Sequence, residues 1–213
     1  DFETAVHDLI KEYMTKHQRI VFNGDGYSED WVEEAERRGL PNIKSMVEAT
    51  ATLTTEKAVR LFEKFAIFTK AELESREEIL YETYAKSINI EALTMIDMAT
   101  KQFIPAVVKY TTTLANSLSA VRDACEEADT SVQKELLIEV SALLAEAKAA
   151  LGRLNDVTAE ASAQTCAKEK AFAYKDMVFP AMDALRKPID QLEMLVDKEA
   201  WPVPSYGDLM FGV

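Results

Sequence analysis

Two histidines, two cysteines, one glycine-rich turn and a scatter of glutamates are the residues of this chain whose types could do chemistry. General acid–base catalysis needs titratable groups held together in a dry pocket, and metal catalysis needs His, Cys or clustered carboxylates at ligand spacing. His7 and His17 lie ten residues apart and leave one predicted helix by different faces, so no shared metal is expected of them. Cys125 and Cys166 each sit in a helical stretch far from a CxxC spacing, which argues against both a zinc site and a disulfide framework. The turn Asn23-Gly24-Asp25-Gly26 fails as a calcium loop: with Gly26 as the invariant glycine, Val21 and Val32 fall where the first and twelfth ligands belong. Neither GxxxxGK[ST] nor GxGxxG occurs, and Asp25 would oppose a phosphate. Glu72, Glu74, Glu77, Glu78, Glu82 and Glu91 recur along predicted helix, but no Glu-x-x-His pair accompanies them, so a di-iron site is not expected and a solvated or ion-paired role is. Glu91 alone falls near an apolar stripe. Met95, Met98, Met177 and Met182 read as core filler. The residues therefore nominate no catalytic, cofactor-binding or metal-ligating group.

The elements that would have to position any chemistry are helices. Only six Gly and six Pro interrupt 213 residues, and Ala, Glu, Leu and Lys dominate. The formal charge is −13 with acids and bases interspersed, which repels phosphate backbones and anionic lipid and so disfavours nucleic-acid and membrane partners. No apolar run approaches the roughly 18 residues that a membrane span needs, and with two isolated cysteines a cytoplasmic setting is expected. Asp1, in place of an initiator Met, reads as the start of a processed or excised segment.

Val6, Leu9, Ile10, Tyr13 and Met14 give residues 2–18 an amphipathic helix whose apolar stripe nothing adjacent covers. Ile20-Val21-Phe22 is predicted as a short strand leading into the 23–26 turn, and Ser28 as the cap of a helix that Gly39 and Pro41 stop. Residues 40–54 read as loop with one helical turn. Thr54 or Thr55 caps a helix to about Phe65, and Thr69 caps a very long one to about Ala128, with Leu73, Leu80, Tyr84, Ile88, Met95, Phe103, Val107 and Leu114 on its stripe. Pro105 should kink that helix one turn earlier, against Lys101. After Asp129-Thr130-Ser131, the residues Val132, Leu136, Val140, Leu143, Ala147, Leu151, Leu154 and Val157 step by threes and fours, a seam that calls for a partner helix. A last helix is predicted from about Ser162 to Glu199, kinked at Pro180 and Pro188. The echo between Phe103-Ile104-Pro105-Ala106 and Val178-Phe179-Pro180-Ala181 predicts antiparallel helices kinked at matching levels. The fold class is thus an all-α elongated bundle of long, Pro-kinked antiparallel helices with a short N-terminal strand and turn, followed by a tail from Trp201 that should dock.

The stretch from Arg19 through Asn23-Gly24-Asp25-Gly26-Tyr27-Ser28-Glu29-Asp30-Trp31, followed by Glu33 to Leu40, resembles the end of the catalytic domain of type III glutamine synthetases. The resemblance continues through Ile88-Asn89-Ile90-Glu91-Ala92-Leu93-Thr94-Met95, Ile104-Pro105-Ala106 and Phe179-Pro180-Ala181-Met182, and closes on Trp201-Pro202-Val203-Pro204-Ser205-Tyr206. It implies an ATP-dependent ligase that joins ammonia to glutamate with Mg²⁺ or Mn²⁺ in ring-shaped homo-oligomers, whose catalytic residues precede the segment seen here. It further implies three parts: residues 1–45 as the end of a catalytic domain, 46–200 as a C-terminal helical bundle, and 201–213 as an extended docking tail. The implied partners are the rest of such a subunit and its neighbours, and this segment is expected to be structural and to hold no cofactor. The competing expectation is a free-standing scaffold or adaptor whose seam from Val132 to Val157 binds a partner helix.

Overall fold

The computed structural model describes residues 1–211, with Tyr206 described in its backbone alone. Among the described residues the chain is all-α, without a strand, and no helix is long and apolar enough to cross a membrane. Its contacts fall into two compact units, residues 1–49 and 50–213.

In the first unit, α1 spans Phe2–Lys16 and α2 spans Glu29–Arg37, with a single 3₁₀ turn at Gln18–Ile20 between them. The short strand expected at Ile20-Val21-Phe22 does not form. Val21 has extended backbone angles, but the carbonyls of Arg19 and Val21, which a ladder would use, both accept from the Arg38 guanidinium at 3.1 and 2.6 Å. Gly39 ends α2 at φ +70°, and the Leu40 amide reaches back to the Ala35 carbonyl at 2.9 Å, the six-residue closure that a left-handed glycine permits. Helix α3, Met46–Thr50, follows across the unit boundary.

The second unit opens with α4, Glu56–Lys64, capped by the Thr55 hydroxyl. Its exit turns through Ala66 at φ +52° into Thr69, whose side chain and Glu72 form a reciprocal capping box for α5, Lys70–Met98. Helix α5 runs through a π-helical segment, Ala99–Phe103, into α6, Ile104–Ala124. The predicted kink at Pro105 takes this form: the ring leaves one carbonyl without its donor, and the ladder absorbs the defect by widening for one turn just before it. From Lys70 to Ala124 the rod is about 80 Å long at 1.5 Å per residue.

Helix α7 occupies Ser131–Ser162 and returns along the rod, packing on α6. The last helix begins later than predicted, because α7 continues through Ser162 and the chain turns only at residues 163–166. Its pieces are α8, Ala167–Ala173, a second π segment, Tyr174–Val178, just before Pro180, and α9, Phe179–Leu195. The seam from Val132 to Val157 therefore has its partner inside this chain: Val140, Leu143, Ala147, Leu151 and Leu154 are buried against α9 and α6, whereas Val132 stays exposed. Because α7 runs antiparallel to both broken rods, those two rods run the same way, which corrects the antiparallel reading of their shared Pro motif. Their breaks are staggered as well, since Tyr174 meets Asn89 of α5, ten residues before Ala99. Pro188 sits buried inside α9. Beyond residue 200 the chain is irregular to Ser205, then makes a short helix, α10, Tyr206–Met210.

Candidate functional site

His7 and His17 are not brought together on a ligand. The His7 ring lies 3.3 Å from the Asp8 carboxylate on the open face of α1, and His17 meets the edge of Tyr13 at 6.0 Å. Among the described residues no three His, Cys, Asp or Glu side chains converge as a metal would require. The described side chains therefore offer no ligand set for the Mg²⁺ or Mn²⁺ that the resemblance implies. Cys125 and Cys166 are separate, free and exposed, and Glu91 is exposed on α5.

The 23–26 turn is built as a turn and nothing more. Asp25 accepts the Tyr27 amide at 2.9 Å through its carboxylate, and its carbonyl accepts the Ser28 hydroxyl at 2.8 Å. Gly24 leaves room for a neighbouring ring, since a Cβ there would stand 2.7 Å from two atoms of Phe22 and would make that side chain shift. That ring in turn stacks on Trp31 at 4.5 Å. Arg38 is the organiser of this unit. Its guanidinium bonds the Arg19 and Val21 carbonyls and the Glu34 carboxylate, and lies 5.7 Å from the centre of the Trp31 ring. Hydrogen bonds from Arg37 and Arg38 hold the Glu34 carboxyl down to about 2. Arg38 was not singled out by the sequence reading. The only signal was an arginine pair one turn beyond an acid, which fixes an i,i+4 contact but not a bond to a carbonyl seventeen residues away.

In the helical unit a long-range polar contact joins α5 and the π segment after α8, where the Tyr174 hydroxyl donates to the Asn89 Oδ1 at 2.8 Å. Tyr174 is 2% exposed, and burial pushes its phenol up, so it stays a donor. Both partners line a cleft of about 340 Å³ between α5 and the α7–α8 turn. Asn89 was legible only as one amide inside Ile88-Asn89-Ile90, and Tyr174 was not singled out in the sequence at all. Tyr81, likewise 2% exposed, is pushed up to about 12 by burial, with the Glu77 charge adding to it. The resolved acids move the other way: Glu72 is lowered by the Thr69 amide, Asp129 by the Ser131 amide and Glu82 by Lys86. These shifts carry each of the groups named farther from titrating near pH 7, the opposite of what a general acid or base needs.

The tail's Trp201 stacks on Phe103 with ring centres 5.1 Å apart and packs against the helical core. Farther on, the Asp208 carboxylate bonds the Lys198 ammonium at 2.5 Å and the Ser205 hydroxyl at 2.8 Å, which holds its pKa to about 2. What the arrangement offers beyond itself is apolar surface. Helix α1 buries none of its residues and leaves Phe2, Leu9, Ile10, Tyr13 and Met14 exposed, while α10 exposes Leu209 and Met210.

Comparison with known proteins finds the family profile described as "Glutamine synthetase C-terminal domain" over residues 5–122. The chain is 35% identical to a glutamine synthetase of Butyrivibrio fibrisolvens over 100% of its own length and 30% of that protein. It is 35% identical to a type-3 glutamine synthetase of Dictyostelium discoideum and 34% identical to a glutamine synthetase of Bacteroides fragilis (strain YCH46), covering 98% of this chain and 29% of the relative in each case. The chain therefore spans about 30% of the length of the curated relatives it matches.

Proposed function

We propose, since the chain belongs to the glutamine synthetase C-terminal domain family, that it is the structural and assembly portion of an ATP-dependent glutamate–ammonia ligase. In this reading residues 1–45 close a catalytic domain, residues 46–200 form the appended helical bundle, and residues 201–213 dock. The ATP, the Mg²⁺ or Mn²⁺ and the catalytic groups are supplied by the rest of the subunit, and none of the residues here is catalytic, cofactor-binding or metal-ligating. The partners are that remainder and neighbouring copies in a cytoplasmic homo-oligomer.

The observation that carries the proposal is the contrast between the two units. The long helices satisfy their own stripes, so that Val140, Ala147 and Leu154 are 0% exposed, whereas α1 leaves Ile10 58% and Met14 54% exposed. Burying a side chain of this size contributes about 1.5–3 kcal/mol, so an open stripe of such side chains on one helix is a large unspent driving force for association. A free-standing adaptor would need the α7 seam open, and that seam is filled by α9 and α6.

The test places charge on the open stripe. Ile10→Glu combined with Met14→Glu, made in a full-length subunit, is expected to reduce ligase activity and assembly severalfold. The same pair in this chain alone should leave its melting temperature within about 2 °C. Full activity and assembly of the double variant would overturn the reading.

A further inference from the structure

The geometry points to the cleft between α5 and the α7–α8 turn as a binding site for a small zwitterion of the α-amino-acid class. At about 340 Å³ the cleft lies at the low end of ligand pockets, which run from about 300 to 1,000 Å³, so it suits a single amino acid and not a nucleotide. Its charged lining cancels: Lys86 and Lys170 face Glu78 and Glu82. Within that set Glu82 and Lys86 neutralise each other at 2.7 Å. Glu78 and Lys170 make no ion pair among the described residues; the Lys170 charge also acts on Glu82, so the cleft offers Glu78 to a ligand's ammonium and Lys170, shared with Glu82, to its carboxylate. A molecule of charge −13 repels a polyanion but not a zwitterion.

The floor of the cleft is fixed in advance. The buried Tyr174 hydroxyl holds the Asn89 Oδ1, which leaves the amide NH₂ as the uncommitted end of that side chain. Tyr174 is also the first residue of the π segment, with its carbonyl accepting from the Phe179 amide. The Pro180 ring accounts for the break, and its consequence is that a cleft residue begins the widened turn. The inference holds for this chain whatever larger protein carries it, so it stands or falls separately from the ligase reading.

The test is calorimetric titration of this 213-residue chain with L-glutamine as the amino-acid probe, with glutaramic acid, which lacks the ammonium, and with inorganic phosphate. Saturable millimolar binding of L-glutamine is expected, weakened at least about tenfold by Lys170→Gln and by Glu78→Gln, since each removes a charge-assisted hydrogen bond. Glutaramic acid should bind more weakly and be indifferent to Glu78→Gln. Glu78 is exposed and Lys170 half-buried, so both variants are expected to keep the parent's helical circular dichroism, and Asn89→Ala supplies a third weakened variant if either does not. The absence of saturation at about 20 mM would overturn the inference. So would phosphate binding as tightly as L-glutamine, or L-glutamine binding unchanged in both charge variants.

Discussion

Replacing Trp201 by Ala separates a docked tail from a loose one. The indole is partly buried, stacks on Phe103 at 5.1 Å and packs on the helical core. Fully burying and then truncating a Trp costs about 3–5 kcal/mol. Two features reduce that figure here. The residue keeps some exposure, and its Nε1 is buried without a hydrogen-bond partner, a group whose removal returns about 1 kcal/mol. Trp201→Ala is therefore expected to destabilise the helical unit by about 2–3 kcal/mol, which is a melting shift of about 5–10 °C for a chain of this size. Trp201→Phe keeps an aromatic pair with Phe103 and deletes the orphaned N–H, so it should cost about 1 kcal/mol or less. The assay is urea unfolding followed by far-ultraviolet circular dichroism, with the fluorescence of Trp31 read in parallel as a report on the first unit. A loss below about 0.5 kcal/mol for Trp201→Ala, or equal losses for Ala and Phe, would refute the reasoning.

Other expectations follow from the same geometry. A double-mutant cycle of Tyr174→Phe with Asn89→Ala should give a coupling of about 1 kcal/mol in the same denaturation assay, because the two groups share one hydrogen bond. Ala66 turns the end of α4 at φ +52°, with the Ile67 amide closing on the Phe62 carbonyl at 3.0 Å, so Ala66→Gly should raise stability by about 0.5–1 kcal/mol in thermal melts. Arg37 and Arg38 hold Glu34 at about 2 against an ordinary 4.5, a depressed value, so its contribution is complete above pH 4.5 and is lost as pH falls towards 2. Trp31 fluorescence should show the first unit loosening in that window; Arg38→Ala should reduce the pH dependence, and Arg37→Ala combined with Arg38→Ala should remove it.

The helical map was legible where side chains are large and punctuation is chemical. Val140, Leu143, Leu151 and Leu154 announce α7 by spacing, Thr55 and Thr69 announce the starts of α4 and α5, and Gly39 the end of α2. The Leu73, Ile88, Val107 and Leu114 stripe was also legible, but Ala85, Ala92 and Ala99, equally buried, were not. Alanine carries little hydrophobic signal, and it is buried because neighbouring helices approach closely, a fact of tertiary packing. The missing strand has the same kind of cause. Ile20-Val21-Phe22 has strand propensity, yet propensity supplies no ladder partner, and Arg38 takes the carbonyls from α2. In the cleft, Glu78, Glu82 and Lys86 are three of many charges on α5. Only the turn that brings Lys170 and Tyr174 beside them distinguishes them from a solvated face.

The most direct measurement is ATP-dependent formation of glutamine from glutamate and ammonia with Mg²⁺ or Mn²⁺, using this chain beside a full-length subunit that carries it. Turnover by the full-length subunit and none by the chain is the predicted result, whereas turnover by the chain alone would contradict its assignment as a structural portion.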